Sequence, residues 1–169
     1  MRSQVDHQAV VLEVAEAEVG NMKKSLQKGI DFTGITIVYF CHDGKGNFVM
    51  SKRSEKARDE YGTWDPGGGA LEFGDTVENT LRKEIKEEYC TDVISYEFLG
   101  FRDVHRVRDG KPDHWVALDF KVLVDSKKVK NGEPHKLDEV KFFRFETMPH
   151  PVHSQFPTFL KLYKAKLQK

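Results

Sequence analysis

Apolar positions recur along this chain in short runs separated by polar turns. Ile35-Thr36-Ile37-Val38-Tyr39-Phe40 is β-branched and aromatic, the pattern of a buried strand. His42-Asp43-Gly44-Lys45-Gly46-Asn47 is turn chemistry, and Phe48-Val49-Met50 returns as the second strand of a hairpin. A charged loop over 52–62 and a Gly/Pro-rich loop over 64–69 follow. The spacing then predicts a helix from about Thr76 to Tyr89, a strand over 93–104, and a polar loop over 107–114 turning at Asp109-Gly110. In the next strand, Trp115 to Val124, alternation puts Val116, Leu118, Phe120, Val122 and Val124 on one face. Glu139 to Phe145 reads as a further strand, ended by Met148-Pro149. Phe156, Phe159, Leu160, Tyr163 and Leu167 share one face of a last helix over 155–167. The order β-β-loop-α-β-β-β-α predicts an α/β (α+β) fold, a mixed sheet covered by helices on both faces. Residues 30–169 form the expected domain, and 1–29 an N-terminal extension packed on it.

Length and charge narrow the class. A chain of 169 residues suits one domain, and an apolar share of 38% suits one modest core. Lys+Arg and Asp+Glu each count 27, so the formal net charge is zero. That balance argues against a general binder of nucleic-acid polymers or membrane surfaces. Two cysteines, Cys41 and Cys90, read as reduced thiols. A polar start without a signal-like apolar run, and no stretch of transmembrane length, make the cytoplasm the expected location.

The helix over 76–89 carries its charges in an unusual place. At about 100° per residue, Val77, Leu81 and Ile85 form an apolar stripe. Glu88 projects inside that stripe, Glu84 at its edge and Glu87 beside it, while Arg82, Lys83 and Lys86 point away. Inward carboxylates are costly unless paired or bound to a cation, and Glu84 and Glu88 also repel each other one turn apart. A divalent cation resolves both conflicts. A surface helix laced with Glu–Lys pairs is the plainer alternative for the helix alone. The glycines at 67–69 tip the balance, because they let backbone approach a ligand and offer carbonyl oxygens to a metal. Asp75 or Thr76 is the expected N-cap.

The segment GGGALEFGDTVENTLRKEIKEEYCTDV, residues 67–93, resembles the Nudix box: Gly, five residues, Glu, seven residues, then Arg-Glu-hydrophobic-x-Glu-Glu-x-Gly-hydrophobic. Gly69 opens it, and Glu84, Ile85, Glu87 and Glu88 match. Asp75 replaces the first Glu, Lys83 the Arg, Cys90 the Gly and Thr91 the aliphatic residue. Lys52-Arg53, Trp64 before Pro-Gly-Gly, Glu133-Pro134 and residues 139–143 resemble the family's flanks, so the likeness spans roughly residues 30–150.

The resemblance implies a Nudix α/β/α sandwich. It also implies a magnesium-dependent enzyme, with manganese as an alternative ion, that hydrolyses a diphosphate bond in a nucleoside diphosphate linked to another moiety. A nucleoside triphosphate and a nucleotide sugar such as ADP-ribose both fit that description. Glu84, Glu87 and Glu88 would act as metal ligands and catalytic residues, with the Gly68 carbonyl and a downstream acid, Glu139 or Glu133, completing the shell. Asp119 is a third downstream acid, with a structural role equally in view. Glu84 is the first choice of general base and the downstream glutamate the second. The family often forms homodimers. Lys83 lacks the fork with which Arg orients a carboxylate, and a non-glycine at 90 costs strain after the helix. Those departures support a second reading, a nucleotide-binding or regulatory module with weak catalysis.

Arg53, Arg102 and Arg106 are the expected phosphate-binding residues, Arg102 and Arg106 within a cluster that includes His105, Arg108 and Lys111. For Arg53 the alternative is an ion pair with an acid of the nearby loop, and for the cluster a solvated basic loop. Trp64 is expected in the core. His150 and His153, among prolines, are expected at the surface.

Overall fold

A computed structural model describes residues 26–168. Val10 to Asn21, the patterned part of the N-terminal extension, lies outside them. Seven strands form one mixed sheet. They are β1 (Gly34–His42), β2 (Phe48–Arg53), β3 (Trp64–Asp65), β4 (Gly68–Ala70), β5 (Val93–Arg108), β6 (Lys111–Val124) and β7 (Leu137–Phe143). Helix α1 (Val77–Tyr89) joins β4 to β5, a 3-10 turn (Phe145–Thr147) follows β7, and α2 (Phe156–Leu167) comes last.

The strand β1 is the axis. Along one edge it runs parallel to β6, from Gly34 opposite Trp115 to His42 opposite Leu123. Along the other edge it meets β4 antiparallel, then β2 at His42 opposite Phe48. Strand alternation sends its two faces into two cores. Ile37, Tyr39 and Cys41 pack with Leu81, Ile85 and Tyr89 of α1 and with Phe120, Val122 and Val124. Phe40 packs on the opposite face with Phe48, Met50, Trp64 and Leu99, under Phe156, Phe159, Tyr163 and Leu167 of α2. The expected helix–sheet–helix layering is thus present, and Trp64 is a core residue.

Two local readings are corrected, and the one-face reading of β6 is extended. Residues 107–114 are not a loop: β5 runs to Arg108, β6 starts at Lys111, and the turn is Asp109-Gly110 alone. Both turn residues have positive φ, 50° and 75°, which suits a tight hairpin and its twist. The outer hairpin reads as loop because it carries few apolar side chains. Residues 64–69 hold two short strands, whose glycines pair through backbone and leave no side-chain pattern. In β6 burial is two-sided, with Trp115, Ala117 and Asp119 buried on one face and Phe120, Val122 and Val124 on the other. A central strand covered on both sides loses simple alternation.

The helix begins where capping predicts. Thr76 is the N-cap and accepts from the Asn79 N–H at 3.1 Å. Asp75 supports it, accepting from the Thr76 N–H at 2.8 Å and the Thr80 hydroxyl at 3.1 Å. The helix ends at Cys90, which adopts the left-handed conformation with φ 55°. Neither Cys41 nor Cys90 is in a disulfide. No described helix is long and apolar enough to cross a membrane.

Candidate active site

A cavity of about 480 Å³ runs along the α2 side of the sheet and past β4 to the carboxylates of α1. The packing of β4 against the helix defines its acidic end. A Cβ on Gly69 would stand 2.1 Å from Glu84 Cδ, and one on Gly67 2.8 Å from Glu88 Oε2 and 2.4 Å from the Tyr39 ring. Only glycine lets this strand lie so close to the helix, and Gly67 also holds a φ of 104°.

Glu84 and Glu88 both line this end, so the inward direction read from the helical stripe holds for them. Glu88 is clasped from below: the Tyr39 hydroxyl donates to Oε2 at 2.5 Å. Burial pushes the Glu88 carboxyl up to about 8, against the lowering effect of that hydrogen bond, and Asp65, Glu84 and Glu133 add to the rise. Burial also raises Glu84, helped by the charge of Glu87. Glu87 itself is exposed and is not among the lining residues.

Of the downstream acids, the structure brings Glu133 to the cavity and leaves Glu139 outside its lining. Glu139 sits on β7, ion-paired with Lys141 and 3.9 Å from Lys52 Nζ. Glu133 arrives through the end of α1. The backbone N–H groups of Lys130 and Gly132 donate to the carbonyls of Tyr89 (3.1 Å) and Glu88 (2.9 Å), satisfying groups a helix end leaves open. A Cβ on Gly132 would meet the Glu87 carbonyl at 1.9 Å, so the chain hugs the helix before presenting Glu133. Lys136 caps Glu133 at 2.6 Å and is the cation already standing among these acids. Asp119 is fully buried beside Arg102 and does not line the cavity.

The three candidate arginines all line the cavity, each with a carboxylate partner. Arg53 bonds Asp59 at 2.6 Å and Asp65 at 3.4 Å. This is the loop ion pair foreseen as its alternative, yet it stands in the cavity wall. Arg102 bonds Asp119 at 3.0 Å, and Arg106 bonds Asp59 at 3.2 Å. Burial pushes the Asp59 carboxyl up, but Arg53, Arg106 and Arg58 outweigh it and hold it below the usual range. Arg102, Val104 and Arg106 point into the cavity because they alternate along β5, and His105 therefore faces the other way.

Sequence reasoning missed several lining residues. Arg58 lies 5.5 Å over the Trp115 ring, a cation–π distance, and both line the wall. His153 is buried rather than at the surface, with Nε2 3.3 Å from Glu60. It lines the cavity because Val152 bridges to Trp64, which pulls the proline-rich segment inward. An odd polar tip on a buried strand residue, as in Tyr39, was the only available signal for the contact with Glu88.

A family model for the NUDIX domain matches residues 33–163. The chain is similar to an oxidized purine nucleoside triphosphate hydrolase of Danio rerio, 24% identical over 143 residues and 80% of each chain. Its fold is similar to that of a MutT NUDIX hydrolase from Burkholderia pseudomallei, with a TM-score of 0.68 and 21% identity over 77% of this chain and 97% of that one. It is also similar to a MutT protein from Methanosarcina mazei Go1, with a TM-score of 0.66 and 22% identity over 86% of this chain and all of the other. The matched span contains β1 through the second turn of α2, and with it the glycine strand and both inward glutamates, so the chain belongs to the Nudix family of pyrophosphohydrolases.

Proposed function

We propose that this enzyme hydrolyses a diphosphate bond of a nucleoside triphosphate, with magnesium held by Glu84, Glu88 and Glu133. The observation that carries the reading is one cavity with carboxylates at one end and Arg53, Arg58, Arg102 and Arg106 along its wall. The acid end fits a hard divalent ion. Its donors are all oxygens, Glu84 fills the space a Cβ at Gly69 would take, and Lys136 offsets only part of the negative charge. The Gly68 carbonyl is a further donor, and exposed Glu87 stands at the rim of the set, with Glu139 behind Lys52 and Lys141 as the less favoured acid. Manganese suits the same oxygens.

Magnesium, when bound, supplies positive charge against phosphate oxygens and lowers the pKa of a water. Glu84 is the general base and takes the proton of the attacking water. The water oxygen forms a new bond to phosphorus in line with the anhydride oxygen, whose bond breaks and whose electron pair leaves with the departing phosphate. Tyr39 holds Glu88 in place through this step. Arg53, Arg102 and Arg106 orient phosphates: a guanidinium has five N–H donors, so one carboxylate partner leaves others free to bind. Trp115, Phe156 and Phe159 give the cavity an aromatic side suited to a base. The likeness to an oxidized purine nucleoside triphosphate hydrolase favours a purine triphosphate over a nucleotide sugar.

The test is product release from purine triphosphates, their oxidized forms and ADP-ribose, with and without magnesium, for wild type and Glu88→Gln. Metal-dependent release of monophosphate and pyrophosphate, lost in the variant, is the expected result. No turnover with magnesium binding intact would favour the nucleotide-binding module instead. Hydrolysis of ADP-ribose alone would move the substrate to nucleotide sugars.

A further inference from the structure

The β5–β6 hairpin has a second face, behind the wall that carries Arg102 and Arg106. There His105 and His114 stand directly opposite each other in the antiparallel register. Their rings stack at 4.2 Å between centroids, 22° apart. Asp103, two residues before His105 and so on the same face, places Oδ1 3.4 Å from His114 Nε2. One ligand atom from each of the three lies within 4.8 Å of the others. The other ring nitrogen of His114, Nδ1, is 3.2 Å from the Thr33 hydroxyl.

We propose that Asp103, His105 and His114 form a binding site for a transition-metal ion of the zinc class, separate from the glutamate site. Two imidazoles and one carboxylate are the borderline donor set that suits zinc, nickel or copper and that magnesium disfavours. Donors at roughly 2.1 Å from a tetrahedral ion stand about 3.4 Å apart. Small χ rotations cover the remaining difference, since Asp103 and His105 are both exposed. The Thr33 hydroxyl is an outer hydrogen-bond partner that steadies the orientation of a ligating His114 imidazole. Strand alternation keeps the site off the cavity: Asp103 and His105 face away from Arg102, Val104 and Arg106, and His114 faces away from Trp115. A bound ion would clamp β5 to β6 at the height of the arginine wall, with its fourth position open to water or a partner's side chain.

The experiment is calorimetric titration of the full chain with Zn2+ in excess Mg2+, comparing wild type, His105→Asn, His114→Asn and Glu84→Gln. Histidine ring 15N shifts are recorded in parallel. One zinc equivalent is expected in wild type and in Glu84→Gln, with shifts at both His105 and His114. Affinity should fall by about ten-fold or more in each histidine variant. Absence of binding, equal affinity in the histidine variants, or loss in Glu84→Gln would each overturn the proposal. The readout is binding alone, so it stands or falls apart from the hydrolase reading.

Discussion

The Tyr39 hydroxyl donates to Glu88 Oε2 at 2.5 Å, joining the central strand to the last turn of α1. Tyr39 is fully buried and meets Tyr89 edge to face, with ring centroids 5.9 Å apart. The tyrosine is thereby fixed by packing and in turn fixes the carboxylate. Glu88 would otherwise be free to turn its oxygens out of the cavity.

Tyr39→Phe should keep the fold and lose the clasp. Outer partners of metal ligands typically change affinity about 10–100-fold. The expected result is weaker magnesium activation by that order, with the circular-dichroism spectrum unchanged. Equal magnesium dependence in the two proteins would show that packing alone positions Glu88.

Gly69→Ala places a methyl group where the Glu84 carboxyl now stands, 2.1 Å from Cδ. Either the strand or the carboxylate must shift by an ångström or more. Misplacement on that scale costs about 10²-fold in rate. Turnover should collapse by this factor in steady-state assays while the melting temperature changes little. Near wild-type turnover would remove Glu84 from the chemistry.

Cys90 holds a left-handed φ of 55° at the end of α1, where Nudix sequences usually carry glycine. That conformation costs an L-residue roughly 1 kcal/mol. Cys90→Gly should therefore stabilise the protein by about 1 kcal/mol in urea unfolding, less the entropy glycine loses on folding. A destabilised variant would mean that contacts of the Cys90 side chain outweigh the backbone strain.

Asp119 and Arg102 form a buried pair at 3.0 Å. Burial pushes the Asp119 carboxyl up to about 6 although Arg102 and Tyr163 pull it down. Between about pH 4 and 6 the folded protein thus retains a proton that the unfolded chain releases. Stability from Asp119 is greatest below its unfolded value and declines as pH rises through about 6. Asp119→Asn replaces the carboxyl by a neutral amide of similar shape, so any stability deficit it shows should be largest at acid pH, where the native carboxyl is also neutral. Its stability deficit should narrow as pH rises from 4 to 6. A deficit that widens across this window would show that the native carboxyl titrates below its ordinary value.

The sequence by itself determined both helices, the first hairpin and the direction of two charges. Helical spacing put Glu84 and Glu88 beside Leu81 and Ile85, because α-helix geometry is local and its burden of inward charge is visible in one dimension. The helix cap at Thr76 was legible for the same reason. Tertiary structure decided everything that joins distant segments. It chose Glu133 over Glu139 for the cavity, because Lys130 and Gly132 satisfy the carbonyl ends of α1 and carry the following residue there. It drew β5 and β6 into one long hairpin, where a polar surface masks strand pairing made by backbone. It also set Tyr39 beneath Glu88, across 49 residues of chain, because both faces of β1 are buried and a hydroxyl there must find a partner.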